Sequence, residues 1–258
     1  MEEKKKSSAG MIIAIVVFCL LIAGGAVVAI LLLNANKDEE SRKVTTSATA
    51  EQGGEKQPEK TPTSSATDNA GIIAASAENG NIGDHVRGKR DSKVLVIEYA
   101  DPQCPGCAAM MPKMDAIYEK YKDKVAFVYR HYPISSHQNA VSAAVAIEAA
   151  GKQGYFWEML EALFDDQVSW VYKSGGSLTL AYIEIFKDVT DDEGDVTQFK
   201  KDLNDSNLEK KVNFDKKQGI KIELEATPTV VVNGKIVDFY TSSDVQKTIE
   251  AAIEKALK

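Results

Sequence analysis

The sequence has no excess of positive charge and very few cysteines. Its 258 residues include 31 Lys or Arg and 38 Asp or Glu, so the formal net charge is −7, and this mild acidity argues against a nucleic-acid binder. There are three cysteines, and no internal repeat is visible. Because 44% of the residues are hydrophobic, enough apolar material is present for a globular core.

One long apolar run lies near the N-terminus. Residues 11–33 (MIIAIVVFCLLIAGGAVVAILLL) carry no charge, and at about 1.5 Å per residue they can cross a hydrocarbon core of about 30 Å. The main alternative is a cleaved secretory signal, but its apolar core is usually about 7–15 residues long and ends in small residues. The sequence therefore predicts a transmembrane helix over residues 11–33, with Cys19 as an apolar residue rather than a lipid attachment site.

The flanking charges predict the orientation of this helix. Lysines at positions 4–6 precede it and an acidic cluster at 38–40 follows it, so the positive-inside rule keeps the tail 1–10 in the cytoplasm. Everything that follows the helix is then extracytoplasmic, where disulfides persist. We thus expect a single-pass protein of the cell membrane.

Residues 34–80 and 81–258 differ sharply in pattern. The first segment is rich in Ser, Thr, Ala, Gln, Glu, Lys and Gly and lacks apolar periodicity, which predicts a flexible extracytoplasmic linker. The second segment has a globular pattern and a length that suits one domain.

The globular segment opens with a strand-helix-strand pattern. Residues 93–99 (KVLVIEY) form an apolar, β-branched run that is typical of a buried strand. From Cys107 to Tyr121 apolar residues recur at spacings of three and four, which predicts an amphipathic helix, and residues 125–130 (VAFVYR) predict a second strand. This order predicts a β-α-β unit with parallel strands.

The remainder is first helical and then rich in β-branched residues. Apolar periodicity predicts helices over about 138–215, the last of them one polar helix over 199–214. Residues 229–240 contain Asn-Gly between two β-rich runs, which predicts a hairpin with strands 229–232 and 235–240. A final amphipathic helix is predicted over 242–257, capped by Ser242 or Ser243.

Two cysteines occupy a position that favours redox chemistry. In YADPQCPGCAAMM, Cys104 and Cys107 follow the first strand directly and begin the helix, whose N-terminus stabilises a thiolate, the form that attacks disulfides. Pro105 falls at the first helical position, and Gly106 lets a substrate approach the backbone closely. We predict that Cys104 is the nucleophile and Cys107 the resolving cysteine.

Four further residues are candidates for the same site. Glu98 is the charged residue of an apolar strand, and it either accepts a proton from Cys107 or reaches solvent at the strand end. Thr227 and Pro228 precede a strand, so a cis bond there would turn the Thr227 backbone toward a peptide, although a trans bond is the common case. His131 either lines the groove near the dithiol or is a hydrogen-bonded histidine at a strand end.

Together these motifs resemble the DsbA-type branch of the thioredoxin superfamily, including its membrane-anchored thiol oxidases. The resemblance is carried by IGDHVRGKRDSKVLVIEYADPQCPGC, RHYPI, AAGKQGYFWEMLEALF and ATPTVVVNGK. It implies an α/β thioredoxin-like fold with a central mixed sheet, flanking helices and a helical insertion. It also implies that Cys104 is an exposed nucleophile, Cys107 a buried resolving cysteine and Glu98 a buried acid, with Thr227 and Pro228 as the substrate-facing residue and the cis-proline.

The resemblance also implies a function. We expect an extracytoplasmic thiol-disulfide oxidoreductase, an oxidase of exported protein thiols, that acts as a monomer without a cofactor and is reoxidised by a quinone-linked membrane partner of the DsbB or VKOR type. The alternatives are a reductase or isomerase of the same fold, or a redox-inactive peptide-binding module. DsbA itself has Pro-His between its cysteines, whereas this chain has Pro105 and Gly106, so its oxidising strength is open.

A zinc site would be a structural use of the same cysteines. Cys104, Cys107, His131 and His137 formally supply two cysteines and two histidines, but a full helix and a strand separate the pairs, whereas compact zinc fingers use about 12–15 residues. A structural disulfide between the two cysteines would close too short a loop to stabilise the fold much. We therefore predict no metal.

Overall fold

The computed structural model describes residues 71–258. The predicted cytoplasmic tail, the predicted transmembrane helix and most of the predicted linker lie outside these described residues. Within residues 71–258, no helix combines the length and the apolar character that crossing a membrane requires.

A mixed sheet of five strands forms the centre of the domain. The strands are β1 (Val86–Gly88), β2 (Leu95–Ala100), β3 (Ala126–His131), β4 (Thr229–Val232) and β5 (Lys235–Ile236). Their spatial order is β1-β3-β2-β4-β5, and β2 and β3 run parallel while the other neighbours are antiparallel. Both β2 and β3 are buried along their whole length, as their apolar runs predict. The predicted β-α-β unit and mixed sheet are confirmed.

Eight α-helices accompany the sheet in the described part of the chain. They are α1 (Pro105–Tyr121), α2 (Ala140–Gly151), α3 (Phe156–Asp165), α4 (Gln167–Trp170), α5 (Gly175–Val189), α6 (Val196–Asp202), α7 (Ser206–Lys221) and α8 (Val245–Leu257). Helix α1 connects β2 to β3, and α2 to α7 form the helical insertion between β3 and β4, which extends to residue 221 rather than 215.

The structure corrects three predicted boundaries. The single polar helix predicted over 199–214 is two helices, because the Asp205 side chain accepts a hydrogen bond from Asn207 N and caps a new helix, α7. Strand β5 ends at Ile236 instead of residue 240. Helix α8 begins at Val245 because Asp244, rather than a serine, accepts the hydrogen bond from a first-turn amide.

The segment 71–80, which the sequence assigns to the linker, belongs to the folded domain. The backbone N–H of Ile73 donates to the Asp84 carboxylate at 2.8 Å, and the Gly71 carbonyl accepts from the Arg130 guanidinium at 2.7 Å. Asn79 is fully buried and its side chain donates to the Ala74 carbonyl at 2.8 Å. No sequence pattern indicates these contacts, because most of them join backbone groups of the segment to side chains that are distant in the sequence.

A buried ion cluster holds this segment to β3 and α7. Arg130 pairs with Asp84 at 2.7 Å, and Lys211 lies 2.6 Å from Asp215 and 3.5 Å from Asp84, all four side chains being almost inaccessible. Asp84→Ala removes the carboxylate that two buried cations share, so the free energy of unfolding should fall by about 3–5 kcal/mol in urea titrations. The matched control is Asp238→Ala, an exposed carboxylate, and equal losses in the two variants would contradict this expectation.

Candidate active site

The two cysteines lie at the junction of β2 and α1. Cys104 is the N-cap of α1, with an extended backbone, and Pro105 occupies the first helical position, where its missing N–H costs nothing. Both cysteines are free thiols, and their exposed fractions are 8% for Cys104 and 0% for Cys107. Cys104 is therefore the accessible sulfur, although it is less exposed than the family resemblance implies.

The two thiols differ strongly in acidity. A hydrogen bond from the Cys107 thiol lowers the pKa of Cys104 to about 5. Burial raises the pKa of Cys107 far above its ordinary value. At neutral pH the pair therefore holds a thiolate at Cys104 and a thiol at Cys107, which is the division of roles that exchange chemistry requires.

The loop before β4 forms the wall opposite Cys104. The peptide bond between Thr227 and Pro228 is cis, and Cys104 Sγ lies 3.8 Å from the Thr227 carbonyl oxygen. An open groove of about 320 Å³ runs between this loop and Gly106. Tyr240, which the sequence did not single out, lines the groove and donates its hydroxyl hydrogen to the Pro228 carbonyl at 2.6 Å.

Glu98 lies on the sheet face that α1 covers. Its exposed fraction is 5%, so a strand-end side chain that reaches solvent is the wrong interpretation. Its Oε1 atom has no hydrogen-bond partner among the described residues. Burial raises the pKa of Glu98 to about 7, against the opposing charge of Arg87. This carboxyl group can thus take up or release a proton near neutral pH.

Tyr129 is a second buried polar group on the same face. It is the register partner of Glu98 across the parallel β2-β3 pair, so the two side chains point to the same side of the sheet. Burial, followed by the charge of Cys107, raises the pKa of Tyr129 well above its ordinary value. No sequence signal distinguishes Tyr129, because it occupies what looks like one more apolar position of a buried strand.

His131 does not line the groove. It is fully buried, and its Nε2 atom lies 3.1 Å from the Glu148 carboxylate, which also pairs with His85 at 2.9 Å. The interpretation as a groove residue is therefore wrong, and His131 is a hydrogen-bonded histidine at the end of β3. His131, Glu148 and Asp215 are close enough to share a cation, but the Lys211 ammonium already lies 2.6 Å from Asp215.

Asp101 is a site residue that the sequence did not single out. It is fully buried in the turn between β2 and α1, and its carboxylate accepts hydrogen bonds from Gln103 N at 2.7 Å, Ile134 N at 2.7 Å and His137 Nδ1 at 2.8 Å. His137, which the sequence offers as a formal zinc ligand, is thus a partner of Asp101. The signal that could have identified Asp101 is its place in an Asx turn before a helix.

Comparison with known proteins supports the fold. A protein-family model described as Thioredoxin matches residues 80–251. Among curated proteins, the Na(+)/H(+) antiporter NhaA 1 of Mycolicibacterium vanbaalenii is 34% identical over 154 residues, which cover 58% of this chain and 23% of that protein. The antiporter of the same name from Mycolicibacterium gilvum is 34% identical over 155 residues, covering 59% and 24%. The chain thus spans about a quarter of the length of these relatives.

Solved structures share the architecture. BdbD from Bacillus subtilis has a TM-score of 0.54 at 24% identity, covering 74% of this chain and 99% of that chain. A thioredoxin-like oxidoreductase from Silicibacter pomeroyi has a TM-score of 0.54 at 24% identity, covering 67% of this chain and 91% of that chain. For alpha-DsbA1 of Wolbachia pipientis the TM-score is 0.53 at 24% identity, covering 67% of this chain and 90% of that chain. At these identities the likeness shows a DsbA-type fold. Because the family model spans more than half of the sequence, the chain belongs to the thioredoxin family that this model describes.

Proposed function

We propose that this protein is a thiol-disulfide oxidoreductase that oxidises the dithiols of exported proteins through Cys104 and Cys107. The observation that carries the proposal is the acidic Cys104 thiol, with a pKa of about 5, at the start of α1 and beside an open groove. The buried Cys107 below it supplies the second sulfur of a disulfide. A purely peptide-binding module would need neither the acidic thiol nor the second sulfur.

The reaction is two successive thiol-disulfide exchanges. A substrate thiolate attacks Cys104 Sγ, a bond forms between these sulfurs, the Cys104–Cys107 bond breaks, and the electron pair leaves on Cys107 Sγ, which takes up a proton. A second substrate thiolate then attacks the substrate sulfur of the mixed disulfide and displaces Cys104 as a thiolate. Two electrons pass from the substrate dithiol to the enzyme disulfide, and the substrate gains a disulfide.

The direction follows from the leaving group. A thiol with a low pKa leaves readily and stabilises the reduced enzyme, which makes the disulfide form a stronger oxidant. The acidic Cys104 therefore favours an oxidase over a reductase or isomerase. The apolar run 11–33 and its flanking charges support an extracytoplasmic domain on a membrane anchor. Each turnover leaves the two cysteines reduced, so the protein needs a partner that reoxidises them. A quinone-linked membrane protein of the DsbB or VKOR type would fit this role. We propose no ion transport from the antiporter matches.

The reduction potential tests this direction. Equilibration of the purified protein with glutathione should give a reduction potential close to that of DsbA, which is about −120 mV. A value close to that of thioredoxin, about −270 mV, would instead indicate a reductase. Absence of any exchange with glutathione would contradict the redox function altogether.

Gly106 offers a test of the groove as the substrate site. A β-carbon at Gly106 would lie 3.6 Å from Cys104 Sγ and 3.7 Å from Pro228 Cδ, an ordinary contact distance, so Gly106→Ala should fold normally while filling the space above the nucleophile. We expect kcat/KM for a peptide dithiol to fall by about tenfold, the cost of roughly 1.4 kcal/mol of lost contact, and that for a small dithiol to change less.

Gly176→Ala is the matched control for this variant, because a β-carbon at Gly176 meets no atom within 4 Å. Equal kcat/KM values for the peptide dithiol in Gly106→Ala and in Gly176→Ala would place the substrate elsewhere.

A further inference from the structure

The turn that precedes Cys104 touches both cysteines through one residue. The backbone N–H of Asp101 donates to Cys107 Sγ at 3.5 Å, and the Asp101 carbonyl accepts from Cys104 N at 3.0 Å. The two peptide groups that flank this α-carbon therefore contact the pair of reacting residues. Whatever fixes Asp101 also fixes these two hydrogen bonds.

The Asp101 side chain is itself held by His137. A fully buried carboxylate needs donors to offset its desolvation, and here two are backbone amides while the third is the imidazole of His137 at 2.8 Å. Because the carboxylate can only accept, Nδ1 of His137 carries the hydrogen. This imidazole comes from the segment after β3, so it ties the active-site turn to another part of the domain.

We propose that His137 is a positioning residue for the dithiol, acting through Asp101 to hold the amide that faces Cys107 Sγ. The inference rests on the proposed function. When a substrate thiolate attacks Cys104 and the Cys104–Cys107 bond breaks, the electron pair leaves on Cys107 Sγ. The Asp101 N–H already points at that sulfur, and a hydrogen bond strengthens when its acceptor becomes charged, so the placement of this amide lowers the barrier of the step.

His85 provides a matched comparison. Its Nε2 atom lies 2.9 Å from the buried Glu148 carboxylate, and its side chain is 23% exposed, against 24% for His137. Its ring stacks on Phe156 at 3.8 Å between centroids, so its contacts are with the helical insertion rather than with the active-site turn. A structural histidine-carboxylate pair is thus available in the same molecule.

The experiment compares His137→Ala, His137→Asn and His85→Ala in the purified full chain. The readouts are the rate at which glutathione reduces the Cys104–Cys107 disulfide, the equilibrium constant of this exchange with glutathione, and the free energy of unfolding. We expect the two alanine variants to lose similar stability. Only His137→Ala should slow the cleavage of the Cys104–Cys107 disulfide by glutathione, by about tenfold, and shift the exchange equilibrium. His137→Asn, whose amide can donate from the position of Nδ1, should restore most of the rate.

Several outcomes would overturn the inference. A wild-type rate in His137→Ala, an equal slowing in His85→Ala, or no recovery in a folded His137→Asn would each do so. If His137→Ala fails to fold, His137→Gln makes the same comparison, because it keeps the volume but displaces the donor. A wild-type protein that does not exchange with glutathione at all would instead refute the proposed function, and the inference with it.

Discussion

Cys107→Ala should turn the protein into a trap for its substrates. Cys104 keeps its place at the start of α1, so its thiolate still attacks substrate disulfides and forms mixed disulfides, but the fast intramolecular release by Cys107 is lost and only the displaced substrate thiol can reverse the step. Covalent adducts through Cys104 should therefore accumulate and be visible by mass spectrometry under non-reducing conditions. Absence of adducts in a folded Cys107→Ala protein would contradict the assignment of Cys104 as the nucleophile.

Cys104→Ala should remove the nucleophile and with it nearly all thiol-disulfide exchange. Burial raises the pKa of Cys107 and leaves its sulfur inaccessible, so the remaining thiol is not a competent nucleophile. Exchange with glutathione should fall by at least about a hundredfold, following the loss of thiolate at neutral pH. Cys19→Ala, which changes the third cysteine, is the control and should exchange at the wild-type rate.

Glu98→Gln should remove a pH dependence from the resolving step. With a pKa of about 7, Glu98 is largely protonated below neutrality, so in the role predicted for it, as acceptor of the Cys107 proton, it can act only above neutrality. The rate at which Cys107 attacks a mixed disulfide should therefore rise through pH 7 in the wild type. In the variant this rise should be lost, with a rate about a hundredfold lower at pH 8, as is usual for a general base. An unchanged pH profile would exclude Glu98 from the proton transfer.

The same substitution should stabilise the fold at alkaline pH. The folded protein holds the Glu98 proton up to pH about 7, whereas the ordinary carboxyl loses it near 4.5, so stability falls as pH rises between these values. Removing the charge should raise the free energy of unfolding by about 3 kcal/mol at pH 8 and leave it nearly unchanged at pH 4. Urea titrations at both pH values measure this, and Glu225→Gln, an exposed carboxyl, should show neither change. A destabilised Glu98→Gln at pH 8 would refute the expectation.

The elements around the dithiol were predictable from local pattern. Burial of β2 and the start of α1 follow from an apolar run and from Pro105. The hairpin follows from Asn233 and Gly234, whose φ angles of 46° and 77° suit these two residue types. Strand alternation also placed Glu98 on one face with its apolar neighbours, although that face alone could not reveal an unpaired carboxylate oxygen.

The remaining features depend on contacts between distant parts of the sequence. Asp101 and His137 are 36 positions apart, and Asp84 and Lys211 are 127 apart, so no periodicity or turn motif relates them. The burial of His131 likewise depends on Glu148 in the helical insertion. The two cysteines can be predicted from the sequence because they belong to one local motif. The groups that hold them cannot, because their contacts form only when distant parts of the chain fold together.

The attachment of residues 71–73 has a mechanical consequence. Arg130 grips the Gly71 carbonyl and Asp84 holds the Ile73 amide, and Arg130 alternates along β3 with Phe127 and Tyr129, whose side chains point toward the α1 side of the sheet. A pulling force carried by the chain before residue 71 would therefore enter the domain at the opposite face of the sheet and pass into β3. Arg130 also donates to the Tyr99 hydroxyl of β2 at 2.9 Å, so such a force would load the strand that leads directly into the Cys104 turn.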